Sequence, residues 1–245
     1  MTVKARKATV TASPMPTMRL SLAPDFDLSI EGRRLPLTRS IERLLAFLAL
    51  NDRPVERSRL ASALWLDSTE SRAASNLRTT LWRLGRLGAR IIQLFDDRVA
   101  LSPDVSVDVT DLSGVALRLI EAPNEDALDR VRDLIASSEL LPDWDEDWIA
   151  TDRERFRMLR LQALDRAAAE LIERGEPARG LEAALAAVAT DPLRETARRL
   201  VIRIHVVQGN MGEAYRAYNA YRELLSEELG LDPSPEMHAI LQAPS

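Results

Sequence analysis

Hydrophobic residues recur along the chain with two different periods. Over residues 18–37 apolar and polar positions alternate, as at Leu20 and Leu22, which predicts a small antiparallel sheet with one buried face. After Thr38, a suitable N-cap, apolar residues recur every three or four positions, which predicts two short helices before residue 66. The first part of the chain is therefore predicted to be a sheet followed by helices.

The next segment, residues 70–87, is predicted to be an amphipathic helix with a cationic face. Its apolar residues share one side: Ala73, Leu77, Leu81 and Leu84. Its opposite side is polar and carries no carboxylate after Glu70: Arg72, Ser75, Asn76, Thr79, Arg83 and Arg86. Such a face suits DNA reading, because Arg and Asn pair with guanine and adenine edges. Most Arg-rich helix faces are only solvated, however, so this helix alone leaves both interpretations open. We expect Trp82, at the border of the two faces, to pack against the rest of the domain.

Two short β-rich runs follow this helix, on either side of Asp96 and Asp97, and they predict a hairpin. Residues 17–109 thus give the order sheet, three helices, hairpin. This order predicts a winged helix-turn-helix, in which the third helix enters the DNA major groove and the hairpin lies beside the backbone. Residues 1–16 are small, polar and interrupted by proline, and we expect a disordered lead-in.

Residues 110–245 have an almost entirely helical pattern. Four positions repeat after 34 residues with the same internal spacing: Gly175 and Gly209, Gly180 and Ala214, Ala184 and Tyr218, Ala187 and Tyr221. This period is that of the tetratricopeptide helix-turn-helix repeat, where small residues let helices approach closely. We therefore predict a mainly α protein, with small β-sheets in the N-terminal winged helix-turn-helix and an all-α, tetratricopeptide-like C-terminal domain.

The most acidic stretch, residues 143–148, holds four carboxylates beside Trp144 and Trp148. Such a cluster can bind a metal or perform acid–base chemistry, but charged runs are more often solvated, and the two tryptophans suit anchoring to a core. The chain has no Cys, two His and no GxxxxGK phosphate loop. We expect no enzymatic activity, no metal site and no cofactor.

Charge is distributed unevenly between the two parts. Residues 1–105 carry 17 Lys and Arg against 11 Asp and Glu, whereas residues 106–245 carry 16 against 27. Nucleic-acid phosphates attract a basic domain and repel an acidic one, so we expect the two parts to have different partners. No apolar run is long enough to span a bilayer, and the absence of Cys favours a reducing compartment. These features predict a cytoplasmic protein that is not bound to a membrane.

Several segments resemble a known family. The N-terminal ones, APDFDLSIEGRRLPLT, LLAFLALNDRPVERSRLASALW and SRAASNLRTTLWRLGRL, are similar to the OmpR-type winged helix of the actinobacterial antibiotic-regulatory-protein (SARP) activators. Residues 139–171, the motif DPLRE and the closing LGLDPSP resemble the bacterial transcriptional activation domain that follows it in that family. The resemblance implies a homodimer that binds direct repeats in double-stranded promoter DNA and recruits RNA polymerase. The wing departs from the family, whose wings carry more basic residues near the tip.

This interpretation assigns roles to ten residues. Base contacts are expected from the outer face of the third helix, chiefly from Arg72, Asn76, Thr79 and Arg83, with Ser75 beside them. Phosphate contacts are expected from Arg78, Arg86, Arg90, Arg39 and Arg57. The alternative is a protein-interaction scaffold whose winged helix binds another protein instead of DNA, and the acidic hairpin favours that alternative.

Overall fold

A computed structural model describes residues 17–242 and divides them into two compact units. The first unit comprises residues 17–20 and 27–106, and the second comprises residues 21–26 and 107–242. The predicted fold class is confirmed, because the chain is mainly helical and its small sheets lie near the N-terminus. The disorder predicted for residues 1–16 lies outside the described residues.

The first unit contains three helices and two sheets. The helices are α1 (Arg39–Ala49), α2 (Arg57–Leu64) and α3 (Glu70–Gly85). One sheet has the order β3-β2-β1-β7, from β1 (Met18–Ser21), β2 (Asp27–Ile30), β3 (Arg33–Arg34) and β7 (Val105–Val107). The other has the order β4-β6-β5, from β4 (Val55–Glu56), β5 (Ile92–Phe95) and β6 (Arg98–Leu101). Strands β5 and β6 form the predicted hairpin around Asp96 and Asp97.

The second unit is mainly helical, and it also contains the strand ends Ser21 and Val107 and a 3-10 turn at Asp147–Ile149. Its helices are α4 (Asp108–Glu121), α5 (Glu125–Asp129), α6 (Val131–Ala136), α7 (Ala150–Glu173), α8 (Pro177–Thr190), α9 (Glu195–Val207), α10 (Met211–Leu229) and α11 (Pro235–Gln242). Each helix from α7 to α10 packs against the next, α4 packs on α7, and α11 packs on α9 and α10. None of the helices in residues 17–242 is both long and apolar enough to cross a membrane.

The 34-residue repeat corresponds to two helical hairpins, α7–α8 and α9–α10, as the sequence predicts. Gly175 and Gly209 follow the first helix of each hairpin with positive φ, of 76° and 74°. In both turns the glycine N–H and the following N–H bond back to carbonyls of the last helical turn, the geometry known as the Schellman motif. Equivalent helix ends therefore explain why the glycines recur.

Residues 21–26 belong to the second unit, whereas the sequence-based limits of 17–109 and 110–245 assign them to the first. The carboxylate of Asp108 accepts hydrogen bonds from the backbone N–H groups of Leu22 and Ala23 at 2.9–3.1 Å and from the Ser21 hydroxyl at 2.6 Å. These contacts join residues more than 80 positions apart, and no local pattern predicts them. The domain limits themselves stay a prediction.

Candidate nucleic-acid interface

Helix α3 is anchored in the first unit by one face. It starts after Thr69, whose carbonyl accepts the backbone N–H of Ala73 at 2.8 Å. Four side chains are at most 4% exposed: Ala73, Leu77, Thr80 and Leu84. The buried hydroxyl of Thr80 donates to the Asn76 carbonyl at 2.9 Å, so burial leaves that donor satisfied. Because the buried positions recur every three or four residues, they fix the rotation of α3 about its axis.

The outer face of α3 carries the side chains that the sequence assigns to DNA bases. Arg72, Ser75, Thr79 and Arg83 are exposed, whereas Asn76 is half-buried at the edge of the face. Among residues 17–242, neither Arg72 nor Arg83 has an ion-pair or hydrogen-bond partner for its guanidinium group. The Thr79 hydroxyl donates to the Ser75 carbonyl at 3.0 Å and keeps its lone pairs available as acceptors. Two cations are thus available to an external ligand on this face.

Trp82 does not pack into the domain, so the expectation for this side chain is wrong. It is 61% exposed and lies on the outer face, where the guanidinium carbon of Arg86 stands 5.0 Å from its ring centroid. This cation–π contact holds Arg86 against the helix. The helical spacing already indicated that Trp82 lies on the outer face, because it follows Ser75 by seven residues and precedes Arg86 by four.

The other assigned arginines are distributed over the first unit, on α1, α2 and α3 and just after α3. Arg78 and Arg90 are exposed, and neither is paired with another residue of the described chain. Arg39 and Arg57 each begin a helix, where unpaired backbone N–H groups favour anions. The Nη1 atom of Arg39 is 3.7 Å from a carboxylate oxygen of Glu42. Arg57 is half-buried, and its Nε lacks a hydrogen-bond partner within residues 17–242.

The wing formed by β5 and β6 has an acidic and apolar tip. Its one arginine, Arg98, is 3.1 Å from Glu56 on β4 and 3.9 Å from Asp97 in the turn. Leu94 and Phe95 are exposed large apolar side chains of β5. The backbone N–H of Arg57 donates to the Asp97 carbonyl at 2.8 Å, which ties the turn to the start of α2. The wing therefore presents little cationic charge for phosphate.

The acidic stretch at residues 143–148 packs through its tryptophans. Trp144 is buried and stacks on Phe26 with ring centroids 5.8 Å apart, and Trp148 donates its indole N–H to Glu146 at 2.9 Å. Asp143, Asp145 and Asp147 are exposed. Within residues 17–242 no group of three or more carboxylates and histidines is arranged to hold a metal ion.

Comparison with known proteins finds a known domain in the C-terminal half of this chain and similar regulatory proteins. Residues 123–243 match the model of the bacterial transcriptional activator domain. The chain is 30% identical over 216 residues to the regulatory protein AfsR of Streptomyces coelicolor and 29% identical over 209 residues to that of Streptomyces griseus. Each alignment covers 81% of this chain and 21% of the relative, so the chain spans about a fifth of these curated relatives.

The fold is also similar to a solved structure. The Mycobacterium tuberculosis EmbR structure, in complex with a low affinity phosphopeptide, superposes with a TM-score of 0.74 at 22% identity. The superposition covers 93% of this chain and 64% of that chain. This likeness concerns the fold, whereas the activator-domain match and the AfsR relatives are consistent with a SARP-type transcriptional regulator.

Proposed function

We propose that this protein is a sequence-specific DNA-binding transcriptional activator and that α3 reads the major groove. The observation that carries the proposal is the outer face of α3, where Arg72 and Arg83 are exposed and unpaired within the described chain. A helix of 16 residues is about 24 Å long and fits a major groove about 12 Å wide. Anchoring by the buried face keeps these side chains directed away from the core.

The ten assigned residues divide by the DNA group that they contact. Arg72 and Arg83 each donate two hydrogen bonds to a guanine, and Asn76 forms two hydrogen bonds with an adenine. Thr79 and Ser75 each accept or donate a single hydrogen bond at a base edge. Phosphates are bound by exposed or helix-starting arginines: Arg78, Arg86, Arg90, Arg39 and Arg57. The contact with Trp82 supports the role of Arg86, because it limits the rotamers of this side chain before DNA binds.

The second unit provides the protein contacts of the activator. By the family resemblance, two copies bind adjacent direct repeats in a promoter and recruit RNA polymerase. The acidic composition of residues 106–245 supports protein partners for this part, because DNA phosphates repel it. In this proposal the protein acts in the cytoplasm and is not an enzyme.

The proposal is tested by binding the full chain to a library of genomic promoter fragments at two salt concentrations. We expect enrichment of a few fragments that contain direct repeats, with two copies bound per site and weaker binding at the higher salt concentration. The Arg72→Ala variant should lose the enrichment. Equal recovery of all fragments by the unaltered protein would contradict sequence-specific reading.

The alternative, a protein-interaction scaffold, rests on the wing. Its exposed Leu94 and Phe95 beside Asp96 and Asp97 resemble a protein-binding tip more than a phosphate-binding one. In a scaffold, Phe95→Ser would abolish capture of the partner protein, while DNA would bind weakly and without preference. In the activator, Phe95→Ser should leave the preference for enriched fragments unchanged.

A further inference from the structure

The second unit contains a cavity of about 640 Å³ bordered by α4, α7, α9 and α11. Its apolar lining includes Ile120, Leu200 and Ile240. Sites for small molecules commonly have volumes of about 300–1,000 Å³ and combine apolar walls with a few polar groups. The cavity therefore has the size and the lining of a small-molecule site.

Cations dominate the charged lining of this cavity. The arginines at the cavity are Arg166, Arg194, Arg199 and Arg203. Three of them have carboxylate partners: Arg194 with Asp165 at 2.8 Å, Arg166 with Glu170 at 3.4 Å and Arg203 with Glu173 at 2.6 Å. Arg199 is half-buried and has no ion-pair or hydrogen-bond partner in residues 17–242. The charge of Arg199 is close enough to Asp165 to lower the pKa of that carboxyl, but no hydrogen bond or ion pair holds the guanidinium group, so its N–H groups are available at the cavity.

The single carboxylate of the lining, Asp165, is incompletely paired. Asp165 is 7% exposed, and its Oδ2 accepts a hydrogen bond from Nε of Arg194 at 2.8 Å and lies 2.8 Å from Nη2 of the same side chain. Its Oδ1 is buried and has no hydrogen-bond partner among the described residues. Burial raises the pKa of Asp165, although the hydrogen bond from Arg194 opposes this shift. Buried polar atoms are nearly always paired, so Oδ1 is available to a donor from a ligand.

We propose that this cavity binds a small organic anion with an apolar body and a hydroxyl or amine group. The acid group pairs with Arg199, the hydroxyl or amine donates to Oδ1 of Asp165, and the apolar body covers Ile120, Leu200 and Ile240. The proposal gives the regulator an effector site in its helical unit. It does not depend on DNA reading by α3, because each cavity residue belongs to the second unit.

The test uses the full chain and the fluorescent anion 8-anilino-1-naphthalenesulfonate, which carries a sulfonate, an N–H and two aromatic groups. We expect saturable binding with one strong site per chain. Arg199→Gln should weaken it about tenfold or more, because charge-assisted hydrogen bonds are among the stronger polar contacts. Arg222→Gln, an equal charge change at an exposed position of α10 outside the cavity, should change it less than twofold.

Two further measurements distinguish the contribution of the ligand's acid group to binding from that of its apolar body. The uncharged N-phenyl-1-naphthylamine should bind Arg199→Gln and the unaltered protein equally well. Ala169→Leu, which fills part of the cavity, should weaken both probes, with circular dichroism confirming that each variant folds. The proposal is overturned if binding does not saturate or if Arg199→Gln and Arg222→Gln behave alike. Displacement of the probe by a Glu-rich peptide but not by 3-hydroxydecanoate would also overturn it, because the ligand would then be a protein segment.

Discussion

Arginine supplies every basic side chain of residues 17–242 apart from two histidines, and the partners of each arginine decide its role. Arg160 is buried in the second unit, where it donates to the Leu134 carbonyl at 2.7 Å and to the Thr190 hydroxyl at 2.6 Å. Arg83 has the same chemistry, but it is exposed on α3 and has no partner within the described chain. The first contributes to stability, and the second is available for DNA.

The carboxylate of Asp108 accepts the hydrogen bonds that hold residues 21–23 within the second unit. Asp108→Ala leaves the backbone N–H groups of Leu22 and Ala23 without their acceptor. Unpaired buried donors cost about 1–3 kcal/mol each, so we expect the free energy of unfolding to fall by about 2–4 kcal/mol. Urea denaturation followed by circular dichroism measures this change.

The matched control for Asp108→Ala is Asp143→Ala. Asp143 is exposed and has no partner in residues 17–242, so its loss should change the free energy of unfolding by less than about 0.5 kcal/mol. Equal effects of the two substitutions would contradict the role assigned to Asp108.

At the scale of elements, the packing of α7 against α8 requires a small residue at position 180. A Cβ atom on Gly180 would lie 3.1 Å from the backbone oxygen of Ala168, whereas one on Gly212 in α10 would meet no atom within 4 Å. Gly180→Val should therefore lower the free energy of unfolding by about 1–3 kcal/mol through overpacking. Gly212→Val should be nearly neutral, because Gly and Val differ little in helix propensity. Thermal unfolding of both variants compares them, and similar losses would contradict the close approach.

Elements defined by local periodicity were predictable from the sequence, and contacts across long separations were not. The buried side of α3 and the wing hairpin follow from spacings of two to seven residues, and the repeated glycine turns follow from the 34-residue period. The pairing of Arg98 with Glu56 joins positions 42 residues apart, and no local spacing indicates it. The exposure of Trp82 was missed although the spacing was available, because tryptophan is usually buried. The DNA contacts themselves stay a prediction.

At the scale of the whole molecule, the basic charge of the first part predicts how strongly the DNA affinity depends on salt concentration. Five arginines are assigned to phosphates, and each contact releases counterions. The logarithm of the association constant should then fall with the logarithm of salt concentration with a slope of about −4 to −5 per protomer. Titrations of a fluorescent promoter fragment at four salt concentrations measure the slope. A slope near zero would mean that the basic first part does not contact phosphates.

The most direct test of the central claim compares Arg83→Ala with the unaltered protein on an enriched promoter fragment and on random DNA. Arg83 is exposed and unpaired in the described chain, so the variant should unfold at the unchanged temperature. We predict a loss of about 1–3 kcal/mol in binding to the promoter fragment and a much smaller loss on random DNA. Arg222→Ala, in the second unit, should change neither affinity. If Arg83→Ala keeps the full preference for the promoter fragment, α3 does not read the DNA sequence through this residue as proposed.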